Sequence, residues 1–346
     1  MKRIAAIALS ALAVASACAQ SVVVYPKSGD PITYRMADLD HIEFLPADPD
    51  EPSNPGEPSN LLIWEEKCQN ESISIYGKIY RPGSVAADVK LPTVILSHSA
   101  SLTADAMNVY ARAIAEAGFC AYAFDFCGAC DESRSTGRTT DEMTPFTEMD
   151  DLKLVISHLK QMNGVNPDKI CLLGSSLGGL VSALTAEDAS LGIAGLVLFY
   201  PAFNIPDLIA MLDQFGNLGG GTGSGWGGLG DLGGLGGGFG DMGGFGMGYS
   251  EAFCNSMRDY DVYANIGTFA HQVLILHGSE DIIVKISYSE QAVEKYPDAT
   301  LVTIEGANHG FNADNLGSFG SMMGGSTDYD SIVIPQVINY LNTYLK

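Results

Sequence analysis

Residues 171–180 read Cys-Leu-Leu-Gly-Ser-Ser-Leu-Gly-Gly-Leu and contain Gly174-Ser175-Ser176-Leu177-Gly178, a G-x-S-x-G. Five positions of which three are fixed recur by chance, so the flanks decide what this one means. Residues 169–173 form a short apolar run of the kind that makes a buried strand, and Leu177 opens a helical pattern. Ser176 therefore falls just past the end of a strand and just before a helix. A nucleophilic serine on a tight strand-to-helix turn needs that context. Small residues at 174, 178 and 179 let the turn close without Cβ clashes. The spacing of a dinucleotide-binding glycine motif is absent.

A serine hydroxyl is a weak nucleophile; it needs a base, and the base needs a carboxylate to orient it. Of six histidines, His41 lies in an N-terminal hairpin segment, His158 in mid-helix and His271 before a strand. His98 and His277 end strands, where structural hydrogen bonding is the better reading. His309, in Glu305-Gly-Ala-Asn-His-Gly-Phe311, lies in a loop after the last predicted strand, where the base belongs. For the acid, the run Leu274–Val284 puts Asp281 in a loop after a strand, with Glu280 as the neighbouring alternative. Ser176 to Asp281 spans 105 residues and Asp281 to His309 spans 28, in the order serine, acid, histidine. The oxyanion hole is expected to pair the Leu177 N–H with a backbone N–H from the loop after Val94–His98, Ala100 first and Ser99 next.

Outward from this site, short apolar runs alternate with amphipathic helical patterns from Leu61 to the C-terminus. That texture predicts an α/β domain over 61–346 whose mostly parallel sheet carries helices on both faces. With 46% apolar and 17% charged residues, the chain has material for a sizeable core. Two stretches interrupt the pattern. Residues 216–248 hold 19 glycines in 33 positions, with Leu, Phe, Met and Trp interleaved. Glycine at that density does not repay its ordering entropy, so a flexible insertion is expected there and a milder Gly/Ser/Met-rich loop at 313–328. The long tract lacks the strand–turn–helix setting and the lysine of a phosphate-binding loop. It is read either as a lid bringing Trp226, Phe239 and Phe245 over an apolar group or, preferably, as a simple expansion of flexible chain. A coil of that length spans about 30 Å, enough to reach the mouth of the site in either case.

Residues 1–19 have two basic residues, an apolar run and small residues ending Ala17-Cys18-Ala19, the pattern of a secretory signal peptide. Export without a lipid anchor is favoured over lipidation at Cys18, because Ala15-Ser16-Ala17 lacks the usual leucine. Residues 20–45 suggest a small hairpin segment, too small for a core of its own. Residues 46–60 are rich in Pro and acid and read as an extended linker rather than a calcium loop. The formal charge is −23, and removal of Lys2 and Arg3 makes it −25. Such a surface repels nucleic acid and anionic lipid. The pair Cys127-Gly-Ala-Cys130 is read as a loop disulfide in preference to a metal or redox site, and neither metal nor organic cofactor is expected.

Several stretches resemble the α/β-hydrolase superfamily, in particular bacterial cinnamoyl/feruloyl esterase-like, dienelactone-hydrolase-like members. They include Leu91-Pro-Thr-Val-Ile-Leu-Ser-His-Ser99, Asn166–Leu184, Gly195–Asp207, Val273–Glu290 and Ile304–Phe311, and together the similar segments cover most of 72–208 and 249–312. The resemblance implies an eight-stranded sheet with Ser176, Asp281 and His309 as catalytic triad and Ala100 and Leu177 as oxyanion donors. It also implies a small-molecule or polysaccharide-linked ester as substrate, with hydroxycinnamoyl or acetyl groups as candidates. Three positions depart from it. Ser99 stands where the family usually has glycine, Ser175 where it usually has His or Glu, and the glycine tract occupies the place of the cap. A serine peptidase of the same fold and a non-catalytic binding module using the glycine tract are the competing readings.

Overall fold

The computed structural model describes residues 21–24, 32–35, 60–218, 249–311 and 328–346. The chain forms two compact units, Met1–Ser59 and Asn60–Lys346. In the first, β1 (Ser21–Val24) pairs antiparallel with β2 (Ile32–Arg35), Ser21 facing Arg35. Residues 1–19 and all but Asn60 of the 46–60 segment lie outside the described residues, as do 219–248 and most of 313–328.

The second unit is built on eight strands: β3 (Leu61–Gln69), β4 (Ser74–Pro82), β5 (Leu91–Ser97), β6 (Cys120–Phe124), β7 (Val165–Ser175), β8 (Ile193–Phe199), β9 (Val273–Gly278) and β10 (Ala299–Ile304). Across the sheet they run β10-β9-β8-β7-β5-β6-β4-β3. β4 is antiparallel to both its neighbours, and every other pair is parallel. Parallel neighbours need crossovers, and helices supply them: α1 (Asn108–Glu116), α2 (Pro145–Gln161), α3 (Leu177–Ala186), α4 (Ile205–Leu218), α5 (Glu251–Met257) and α6 (Ser287–Lys295), while α7 (Asp330–Tyr344) follows the last strand. Among the described residues no helix is long and apolar enough to cross a membrane.

The central strands read as unbroken apolar runs because both faces of the sheet are covered. Successive side chains point to opposite sides. Ile95, Leu172, Leu196, Leu198 and Ile275 join one core with Leu152, Val155 and Leu159 of α2 and Leu180 and Leu184 of α3. Val94, Leu96, Leu173, Val197, Phe199, Leu274 and Leu276 face the other way, against Tyr110 and Ile114 of α1 and Val333, Val337 and Leu341 of α7. The start of α2 is fixed locally: Thr144 caps it by accepting the Thr147 N–H at 3.1 Å, and Pro145 takes the first helical position.

Three elements were not anticipated. β3 carries Glu65, Glu66 and Lys67 at its centre because it is an edge strand paired only with β4, so apolar periodicity is weak there. α4 and α5 flank the glycine tract and are short or glycine-terminated. The helix α4 takes in Gly216, Asn217 and Leu218, the first residues of the glycine tract, and the rest of the tract lies outside the described residues.

Candidate active site

β7 ends at Ser175 and α3 begins at Leu177, leaving Ser176 alone in the turn with φ 50° and ψ −115°. Left-handed backbone is costly for a side chain and persists where surroundings over-determine it. Here the surroundings are backbone. The Ser176 N–H donates to Phe199 O at 2.9 Å, and its carbonyl accepts from Leu180 N–H at 3.0 Å and Ala202 N–H at 2.9 Å. Glycine at two positions makes so tight a turn possible. A Cβ on Gly174 would lie 2.2 Å from Gly178 O, and one on Gly178 would lie 2.4 Å from His98 O and 2.5 Å from Ser97 O.

The structure brings the three predicted side chains together from loops at the carboxyl ends of β7, β9 and β10. Ser176 Oγ donates to His309 Nε2 at 3.0 Å, and His309 Nδ1 donates to Asp281 Oδ2 at 2.8 Å. All three residues are buried. Asp281 is held from its own loop as well, since Oδ1 accepts the N–H groups of Ile283 and Val284, each at 2.9 Å. Burial opposes the charge on Asp281, but the neighbouring His309 and hydrogen bonds from His277 and His309 outweigh it and hold the carboxyl well below the usual carboxylate range. Asp281 therefore stays an anion and fixes the His309 proton on Nδ1, which leaves Nε2 free to accept from the serine. Glu280, the neighbouring alternative, is exposed.

His277 takes a supporting place that its strand-end position only hinted at. It is fully buried, with Nε2 2.7 Å from Val284 O and 3.2 Å from Asp281 Oδ2, and Nδ1 2.7 Å from Ser289 Oγ. Two oxygen acceptors around Nε2 place the proton there, so Ser289 donates to Nδ1. His98 is structural too. The Phe126 N–H donates to its Nε2 at 3.1 Å, and its Nδ1 donates to Ser99 O at 2.8 Å. Burial lowers its pKa, consistent with a neutral ring. His158 lies 2.8 Å from Glu66 Oε1 on a half-exposed face.

The loop after β5 turns at Ser99–Leu102, where Leu102 N–H donates to Ser99 O at 3.3 Å and Ser101 has φ 58°. That turn does not use the N–H of Ala100, its second residue. On the other side, Leu177 is the first residue of α3, and helices leave their first N–H groups without intrahelical acceptors. These are the two groups expected to bind an oxyanion.

The structure adds a residue that the sequence did not single out. Tyr200, fully buried directly after β8, has φ 35°, and its ring lies 4.6 Å from that of His309. The expected Cys127–Cys130 disulfide is not formed. Cys127 turns into the core with its Sγ 3.9 Å from Arg138 O, while half-buried Cys130 reaches Leu102 O at 3.5 Å, so the two thiols diverge. Among the described residues no His, Cys, Asp and Glu side chains gather where they could hold a metal.

A family model described as serine aminopeptidase, S33, matches residues 90–219. No curated protein matches the chain. Among solved structures, a ferulic acid complex of Est1E from Butyrivibrio proteoclasticus superposes with a TM-score of 0.59 at 18% identity, covering 81% of this chain and 98% of that one. An esterase of Pyrococcus furiosus gives 0.57 at 18%, covering 83% and 92%. A dipeptidyl aminopeptidase IV homologue from Bacteroides ovatus gives 0.57 at 13%, covering 85% of this chain but 37% of its own. At these identities the likeness is one of fold. Strand order and the strand–turn–helix serine agree with these likenesses: the chain has the α/β-hydrolase fold.

Proposed function

We propose that this protein is a serine hydrolase that cleaves carboxylic esters through an acyl-enzyme. One observation carries the reading: Ser176 Oγ, His309 and Asp281 lie in hydrogen-bond sequence at 3.0 and 2.8 Å. As Ser176 Oγ bonds to the ester carbonyl carbon, its proton passes to His309 Nε2, and Asp281 stabilises the imidazolium that results. The N–H groups of Ala100 and Leu177 receive the charge on the carbonyl oxygen. Collapse of the tetrahedral intermediate breaks the bond to the alcohol oxygen, which takes the proton from Nε2. Water then repeats the sequence on the acyl-enzyme, with His309 again the base, releasing the acid and free Ser176.

Hydroxycinnamoyl or acetyl esters on plant polysaccharide are the substrates we favour. The support is the resemblance along 72–208 and 249–312 and the fold shared with Est1E. The signal-like residues 1–19 support action outside the cytoplasm. A fluorophosphonate probe is expected to label the wild type and not Ser176→Ala; failure of the first or labelling of the second refutes the proposal. A panel of acetate, butyrate, octanoate and methyl ferulate esters then ranks the acyl groups.

The family match at 90–219 specifically favours a second reading, aminopeptidase. Turnover of an amino-acid p-nitroanilide exceeding that of p-nitrophenyl acetate would establish it.

A further inference from the structure

Four non-glycine residues among those described have left-handed backbone: Ser101, Ser176, Tyr200 and Asp259. Three of them surround the candidate site, each on a different turn. Ser101 lies in the loop after β5, Ser176 in the turn after β7 and Tyr200 in the segment after β8. Strain gathered in this way persists where something over-determines the backbone, and it marks a place where geometry matters to function.

Buried hydroxyls lie at or near these strained residues, and two of them meet. Ser99 Oγ and Ser175 Oγ are 3.0 Å apart, although 76 residues separate them in the chain. Ser175 Oγ also reaches Met107 Sδ at 3.6 Å. The Tyr200 hydroxyl is fully enclosed. It has no hydrogen-bond partner, and burial pushes its pKa up. The two serines form a directed chain: Ser175 O–H donates to the Met107 sulfur, so Ser99 O–H donates to Ser175. None of these groups touches the reacting atoms, yet each is one residue or one ring from a group that does. Ser99 precedes Ala100, Ser175 precedes Ser176, and the Tyr200 ring lies against His309.

We infer that the Ser99 and Ser175 hydroxyls form a latch that holds the oxyanion loop and the nucleophile turn in mutual register, beside the Tyr200 ring that lies against His309. The two serines are positioning residues. The inference rests on the esterase reading for its kinetic consequence, whereas its structural consequence is independent of it. In a shared network the loss of one member forfeits most of what the network does, so the single effects are not multiplied in combination.

The test compares wild type with Ser99→Ala, Ser175→Ala and the double variant, each substitution removing one oxygen. Turnover of p-nitrophenyl acetate is expressed per fluorophosphonate-titrated site, which removes any difference in folded fraction. Each single variant is expected to lose about tenfold in kcat with KM within about twofold, and the double variant to fall no more than about twofold below the worse single. Hydrogen exchange by mass spectrometry is expected to rise in both turns (98–102 and 174–178) whichever hydroxyl is removed. The latch is overturned if kcat per titrated site stays within about twofold of wild type, if the two serine effects multiply, or if exchange rises only in the substituted turn. Should the wild type fail to label, the esterase reading falls, and the exchange pattern alone decides the latch.

Discussion

Replacing Asp281 by asparagine exchanges one oxygen for a nitrogen and leaves the side chain's shape unchanged. The carboxylate now accepts four contacts: two backbone N–H groups at Oδ1, each 2.9 Å away, and His309 and His277 at Oδ2, at 2.8 and 3.2 Å. An amide offers an acceptor at only one end. With its oxygen toward His309, its NH2 would face the N–H groups of Ile283 and Val284, donor against donor. Two hydrogen bonds to a charged acceptor are then lost, each worth about 1.5–3 kcal/mol, and buried donors are left unpaired. With its NH2 toward His309 the backbone pair survives, and Nδ1 must become the acceptor. This arrangement loses only the longer contact with His277, whose Nε2–H keeps Val284 O at 2.7 Å as its acceptor, so it costs less and wins. His309 then carries its proton on Nε2 and cannot take one from Ser176. A wrong tautomer in an otherwise intact triad costs about 10⁴ in kcat, or about 5.4 kcal/mol of transition-state stabilisation. The assay is p-nitrophenyl acetate turnover at neutral pH, with circular dichroism to show a native fold. A folded variant retaining more than about one hundredth of wild-type turnover would refute the tautomer argument.

Two further outcomes follow from the packing and the buried charge. Gly178→Ala places a methyl 2.4 Å from His98 O and 2.5 Å from Ser97 O, both main-chain atoms that cannot swing aside; the expected cost is about 1–3 kcal/mol by urea unfolding, with slower fluorophosphonate labelling, and an unchanged urea midpoint would contradict the close approach. Glu148 is buried with Oε2 lacking a hydrogen-bond partner, and burial, aided by Asp151, pushes its carboxyl well above the usual range. The folded state thus keeps a proton that the unfolded state has released, so stability falls as pH rises above the unfolded value, by at most about 1.4 kcal/mol per unit. Glu148→Gln removes that slope, and the variant should gain on wild type between pH 5 and pH 8 in urea midpoints; parallel curves would count against it.

The grouping of Ser176, Asp281 and His309 was the most legible part of this chain, and the reason is local. A nucleophile turn writes its steric needs into five consecutive residues, and strands covered on both faces write theirs as apolar runs such as Val94–Leu96 and Leu196–Phe199. Asp281 and His309 were found from their places just past strands. Contacts between loops were not legible. Nothing near Ser99 announces Ser175, since their meeting depends on β5 and β7 lying side by side with Ser97 opposite Gly174. Tyr200 was hidden for the opposite reason: an aromatic residue after an apolar strand reads as more core, and its left-handed backbone leaves no mark in the sequence. β3 escaped because an exposed edge strand carries charge where periodicity would show. Cys127 and Cys130 misled because close spacing in the chain says nothing about which way each thiol turns.

The hydrogen bonds around Ser176 also divide the molecule into parts with different tolerance for change. After Phe199 the chain leaves the sheet and returns only at Val273. Among its described residues, Tyr200, Ala202 and Asn204 touch the triad or the loops that carry it, through the His309 ring, the Ser176 carbonyl and Ile283 O. Every other described hydrogen bond that fixes Ser176, Asp281 and His309 comes from outside it. Lengthening or exchanging the chain between Ile205 and Gln272 therefore leaves intact the bonds that set the reaction. Such a molecule can alter one continuous segment while the arrangement of its serine, histidine and aspartate stays as it is.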